Sequence, residues 1–181
     1  MNIAVFCGSA KGRGETYLKV AQDVAQILNR QKYGLVYGGA SVGVMGVLAD
    51  RCLELGVEVI GVMPQSLVDW EVAHRGLDDL IVVDTMHKRK EIMYLRSSAF
   101  VVLPGGFGTL DECFEILTWS QLKLHDKPVF ILNANGFYNH LKGHLQLAHE
   151  EGFISLQHLN LLHFIDDAAQ LEDVLSKLNK S

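Results

Sequence analysis

The chain has 181 residues, 49% hydrophobic and 20% charged, with 17 Gly, 3 Pro and a formal net charge of −5. That length fits one compact domain over residues 1–181, and the apolar content excludes a disordered or collagen-like chain. The negative balance excludes a nucleic-acid binder working through broad electrostatics, although a small anionic ligand needs only a local site.

Short β-branched runs alternate with longer helical patterns. Ile3–Cys7 reads as a strand, followed by a loop over Gly8-Ser9-Ala10-Lys11-Gly12. Apolar residues at Tyr17, Val20, Ala21, Val24 and Leu28 then keep a helical period. Leu35-Val36-Tyr37 reads as a second strand, leading through Gly38-Gly39-Ala40 into a helix from about Val44 to Leu55. Val57–Met63 reads as a third strand stopped by Pro64, and Ile81-Val82-Val83 as a fourth before a helix over Met86–Arg96. Phe100–Leu103 reads as a fifth strand, and Pro104-Gly105-Gly106-Phe107-Gly108 leads into a helix running to about Leu122. Val129–Leu132 reads as a sixth strand, with helices expected around Tyr138–Glu150 and Asp167–Leu178. Strands that are apolar throughout, alternating with helices, imply a parallel sheet covered on both faces. The segment 65–79, with Trp70, Glu71 and His74, is the least regular and reads as a site loop.

Cys7, Cys52 and Cys113 are far apart and form no CxxC pair, which points away from a disulfide framework or zinc site and towards a reducing cytoplasm. The N-terminus has no secretory pattern, and no window approaches the roughly 18 apolar residues of a membrane span. A soluble, cytoplasmic protein without membrane or nucleic-acid partners is therefore expected.

Three strand-to-helix turns are rich in glycine: those after the first, second and fifth strands. Ligands of open α/β sheets bind outside the carboxyl ends of the strands, and amides at a helix N-terminus form an anion site. Gly8, Ser9, Gly38, Gly39, Gly43, Met45 and Gly46 are accordingly expected nucleotide contacts. No turn carries GxGxxG. Gly38 and Gly43 have Walker separation, but Val44 and Met45 stand where the lysine and hydroxyl residue belong. A mononucleotide or a sugar phosphate remains.

The stretch Pro104–Glu112 admits two readings. Thr109 to Glu112 has the spacing of a capping box, which would make Glu112 structural. Asp111 and Glu112 in a first turn suit the helix dipole but repel a bound phosphate, so a nearby cation is needed. Met86-His87-Lys88-Arg89-Lys90 supplies cations, and Arg89, Met93 and Arg96 share a helix face. The plain alternative for this run is a solvated face. The two helices flank the fifth strand, so Arg89 can approach Glu112.

On these motifs, with Gly43-Val44-Met45-Gly46, Glu71-Val72-Ala73-His74, Thr118-Trp119 and His125-Asp126-Lys127-Pro128 beside them, the chain resembles the LONELY GUY (LOG) family. These are cytokinin riboside 5′-monophosphate phosphoribohydrolases, long labelled possible lysine decarboxylases. The resemblance implies a three-layer Rossmann-like α/β fold, with a mostly parallel central sheet covered by helices on both faces. It also implies a homodimer with the site near its interface, and no metal or organic cofactor. The implied reaction cleaves the N-glycosidic bond of a purine nucleoside 5′-monophosphate, giving free base and ribose 5-phosphate. By motif position Arg89 and Glu112 are the catalytic pair, and Glu71, Lys90, Gly106, Phe107, Gly108, Thr109, Leu110, Asp111 and Thr118 bind substrate. Ser97-Ser98, Lys123 and Asp111 depart from the family pattern without touching that pair.

Two other readings stand beside this one. A non-catalytic nucleotide carrier would use the same fold. A decarboxylase would normally need pyridoxal phosphate on a lysine, and no lysine here sits in a recognisable cofactor motif. His140, His144 and His149 read as solvated or half-buried rather than as a metal site, lacking HExxH and a third ligand. Cys7 and Cys113 read as small buried hydrophobes, and Trp70 and Trp119 as packing residues, with Trp70 also able to border a purine.

Overall fold

A computed structural model describes residues 1–68, 70, 73–77 and 79–178. The chain runs β1 (Asn2–Phe6), α1 (Thr16–Gln31), β2 (Gly34–Tyr37), α2 (Gly43–Glu54), β3 (Val59–Pro64), α3 (Gln65–Val68), β4 (Asp79–Val83) and α4 (Met86–Leu95). It continues with β5 (Ala99–Val102), α5 (Phe107–Gln121), β6 (Val129–Leu132), α6 (Asn139–Glu150), α7 (Leu156–Leu159), β7 (Leu162–Ile165) and α8 (Ala168–Leu178). Seven parallel strands form one sheet in the order β4-β3-β2-β1-β5-β6-β7.

The five central strands are short, apolar and flanked by helices, so both faces find cover, whereas the edge strands β4 and β7 stay partly exposed. Ile3 and Val5 of β1 point into the core under α1, α2 and α8, which buries Ala21, Val24, Leu28, Leu48, Leu171 and Leu175. Ala4 and Phe6 point the other way, into a second core with Met93 of α4, Cys113 and Ile116 of α5, and Leu145 of α6. Three layers follow from this alternation.

Three expectations need correcting. Pro64 is the last residue of β3, paired in register with Val83, rather than a residue beyond the strand. A strand end tolerates its missing N–H. The segment 65–79 holds a short helix and the start of β4. Leu162–Ile165 is a seventh strand that the pattern does not announce, because this edge strand is only half covered and lacks the continuous apolar run of the others.

The strand order places β2 on one side of β1 and β5 on the other. Beyond the carboxyl ends of β1 and β5 the chain therefore turns away in opposite directions, and a crevice opens at the switch point. The turn after β1 and the turn after β5 meet there, with Gly8 N donating to Pro104 O at 3.2 Å.

Candidate active site

Two helices carry charge to this crevice. The Thr85 hydroxyl caps α4 by accepting from Lys88 N at 3.1 Å. This start directs Arg89 and Met93 inward, whereas Arg96 stays outside at the C-cap. Arg89 Nη1 donates to Glu112 Oε1 at 2.8 Å, and Nε donates to the Val62 carbonyl at 2.9 Å. Both side chains are about nine-tenths buried, at 10% and 9% exposure. A buried charge persists only when paired and hydrogen-bonded, and this pair meets both conditions.

The capping box is not made. Gly106 is the N-cap of α5 and caps with no side chain, so Thr109 is the third helical residue. Asp111 and Glu112 lie in the second turn rather than the first. Glu112 turns into the protein towards Arg89, while Thr109 is buried beneath the turn. Nor is the Met86–Lys90 run a wholly solvated face. Lys88 is exposed and pairs with Glu91, but Lys90 is 12% exposed and sits 3.2 Å from Asp111 and 3.0 Å from Glu115.

Burial pushes the Glu112 carboxyl above the ordinary carboxylate range; the Arg89 guanidinium pulls against this, and the Asp111 charge adds to it. Lys90 runs the other way. Burial works against its ammonium, but Glu115 and Asp111 outweigh that and hold its pKa above the usual lysine value. Burial raises the Cys7 thiol far up, and Cys113 to about 12, so neither is a thiolate at neutral pH.

The glycine turns give this arrangement its room. A Cβ on Gly38 would overlap Arg89 Nη2, so the guanidinium lies where any other residue would put a side chain. Gly43 has φ +65°, and a Cβ there would run into the Ser9 backbone. Gly38→Ala should fold but displace the guanidinium, at a cost of about 1–3 kcal/mol in stability and roughly tenfold or more in turnover. Thermal unfolding and steady-state rates on the same preparation check this, and unchanged turnover would mean that Arg89 has another route to Glu112.

Above the α5 N-terminus the space is open. A Cβ on Gly106 or Gly108 would meet nothing, and Phe107 is 95% exposed. The first helix amides have no partner within the helix. The first bond closes only at Leu110 N, which donates to Gly106 O at 3.1 Å. A cavity of about 250 Å³ adjoins them, lined by Gly8, Ser9, Ala10, Lys11, Gly12, Tyr17, Val44, Pro104, Gly105, Gly106 and Phe137. Tyr138 steadies the Pro104 turn from below, its hydroxyl donating to Leu103 O at 2.7 Å. A larger cavity of about 520 Å³ lies at the amino ends of β6 and β7, where two of its basic groups are engaged. Both His125 ring nitrogens are bonded, and Lys127 Nζ donates to Tyr94 O.

Gly39 and Met45 stand beside this centre: His74 N donates to Gly39 O at 2.9 Å, and the Met45 sulfur lies against Gly38. Gly46 packs on Ser41 within α2, further back. Glu71 lies outside the described residues, but the chain after it is stapled over β2's turn by an Ala40–Ala73 bridge. His74 Nε2 donates to Asp50 at 2.9 Å while Nδ1 accepts from Gly76 N, which fixes its tautomer. Trp70 is 75% exposed and is no packing residue, whereas Trp119 packs edge-on to Tyr94. Thr118 does not join the others. It lies six residues beyond Glu112, about 9 Å along the helix axis, and its exposed hydroxyl donates to Phe114 O at 2.7 Å. Of the three α6 histidines, His140 and His144 are exposed, and His149 Nδ1 donates to Ile154 O at 2.8 Å. Spacing gave no signal for the Val62 carbonyl or for Glu115.

Comparison with known proteins places the chain in a family. The family model described as "Possible lysine decarboxylase" matches residues 45–175. The cytokinin riboside 5′-monophosphate phosphoribohydrolase of Rhodococcoides fascians is 47% identical over 155 residues, covering 85% of this chain and 78% of that one. Arabidopsis thaliana LOG4, of the same name, is 41% identical over 178 residues, covering 98% of this chain and 81% of its own. Among solved structures, the molybdenum cofactor binding protein of Rippkaea orientalis superposes with TM-score 0.74 at 22% identity, covering 98% and 97% of the two chains. The Moco carrier protein of Chlamydomonas reinhardtii does so with TM-score 0.72, also at 22% identity, covering 98% and 96%, and at that identity both share the fold alone. With relatives this similar over most of its length, and with the Arg89–Glu112 pair assembled at the switch point, the chain belongs to the LONELY GUY family.

Proposed function

We propose that this protein is a hydrolase of nucleoside 5′-monophosphates, cleaving the N-glycosidic bond of adenosine monophosphate or its N6-substituted forms. The observation that carries this reading is the buried Arg89–Glu112 pair beside an open helix N-terminus. Relatives named for this reaction support it.

Breaking the C1′–N9 bond builds positive charge on the ribose, as in other glycoside cleavages. Glu112 is the carboxylate set to face that charge and to take a proton from the attacking water. The water oxygen bonds to C1′ and the bonding electrons leave with the base, which takes up a proton. Arg89 works against the burial that raises the Glu112 carboxyl, and it fixes the direction of that group. The α5 amides from Gly106 to Thr109, with the Gly8-Ser9 turn, hold the 5′-phosphate, so binding energy remote from C1′ positions it. Thr118, too distant within one chain, joins the site from a second copy. That makes the working enzyme a homodimer, a cytoplasmic one in view of three free buried cysteines. Lys90 suits no Schiff base, because two carboxylates hold its ammonium charged.

Incubation with AMP, N6-isopentenyl-AMP, adenosine and lysine, followed by chromatography, tests the reading. Free base should appear from the monophosphates and not from adenosine. Tight nucleotide binding without base release would instead establish a carrier.

A further inference from the structure

The pair has a neighbour that the proposed chemistry leaves unused. Glu115 lies one turn after Glu112 on α5, and its Oε2 is buried, 3.0 Å from Lys90 Nζ. Among the described residues no other polar atom offers that oxygen a hydrogen bond. Lys90 follows Arg89 on α4, so two ion pairs cross between the same helices side by side. Phe6, Lys90, Glu112, Glu115 and Ile116 enclose one space of about 10 Å³. This is barely the room one water needs, and its floor is apolar. Three charges thus meet with little solvent between them, where a neighbouring charge moves a carboxylate's pKa by about 1–3 units.

We infer that Glu115 is a positioning residue for Glu112: it holds the Lys90 ammonium to its own carboxylate, and the resulting Lys90–Glu115 clamp sets how readily the Glu112 carboxyl loses its proton. The inference uses the proposed hydrolase reading for its kinetic readout only. The groups facing Glu112 are Arg89 and Lys90 from α4, Asp111 and Glu115 from its own helix, and Cys7 from the turn after β1. Cys7 stays a thiol, and Arg89 is also anchored on the Val62 carbonyl. Asp111 is 59% exposed, so solvent screens its charge, which leaves Lys90 and Glu115 as the buried pair whose balance can be altered.

The two obvious variants move Glu112 in opposite directions. Lys90→Met removes the cation and leaves two carboxylates facing one dry space, so the Glu112 midpoint should rise by about one pH unit. Glu115→Gln removes a like charge and frees Lys90 to lean on Glu112, so the midpoint should fall by a similar amount. Glu115→Asp should restore part of the wild-type value. The full-length protein, labelled with carboxyl-13C glutamate, would be titrated by NMR, with Glu112 assigned by its loss in Glu112→Gln. The acid limb of kcat/KM for AMP would be measured on the same variants. Opposite displacements, followed by the acid limb, support the clamp. Midpoints that stay together in both folded variants overturn it. Displaced midpoints with no base release in the wild type would overturn the hydrolase reading and leave the clamp standing.

Discussion

Glu112→Gln is expected to lower turnover of the monophosphate by about 10²–10⁴-fold, the range for a positioned acid or base group, and also to lower stability, because the buried Arg89 charge loses its counter-ion. The amide matches the carboxylate in shape, and its carbonyl can still accept from Arg89 Nη1, which now lies 2.8 Å from Oε1. What it lacks is charge to face the ribose and basicity towards water. Because an interaction made only in the transition state is removed, kcat should carry most of the loss and KM little. The wild-type rate should also fall on the acid side with a midpoint above the ordinary carboxylate value, since burial raises the Glu112 carboxyl. That limb should vanish from the residual rate of the variant. Wild-type turnover in a folded Glu112→Gln protein would reduce Glu112 to a partner for Arg89.

Six strands were legible because each is an apolar run bounded by turn residues, and β5 and β6 are fully buried as such a run demands. β7 escaped because its His163 is exposed at the sheet's edge, so no run forms. At the site, spacing placed Arg89 and Glu112 on helices flanking β5 but could not say which way Glu112 turned. That depended on where α5 begins: a start at Gly106 puts Glu112 in the second turn, facing the sheet, and a capping box needs a start three residues later. The supports of Arg89 were hidden for a different reason. They are a backbone carbonyl on β3 and the empty space at Gly38 after β2, and neither side-chain identity nor local spacing encodes a contact between distant backbone and guanidinium. The same holds for Lys90, read as a substrate ligand and found clamped by carboxylates a helix away.

Arg89→Met should be the most damaging folded-state change at the site, and its cost should depend on pH in a definite direction. Removing one partner of a buried ion pair leaves the other uncompensated, at about 3–5 kcal/mol. Here the survivor is Glu112, whose folded pKa is already raised by burial and would rise further without the guanidinium. A carboxyl with a raised folded pKa binds its proton more tightly in the native state than in the unfolded chain, where the value is about 4.3. The native state is then penalised once pH exceeds that unfolded value, and the penalty grows until pH passes the folded one. Arg89→Met should therefore be closest to wild type near pH 5 and furthest from it near pH 8. Urea unfolding of wild type, Arg89→Met and Arg89→Met/Glu112→Gln at both pH values reads this directly. The double variant should lose most of the pH dependence, since its amide has no charge to strand. A deficit in Arg89→Met that is flat with pH, or larger in acid, would show that Glu112 is not the group left uncompensated. Arg89→Lys should recover part of the stability and little turnover, because one ammonium cannot reproduce the guanidinium's planar reach to both Glu112 and the Val62 carbonyl.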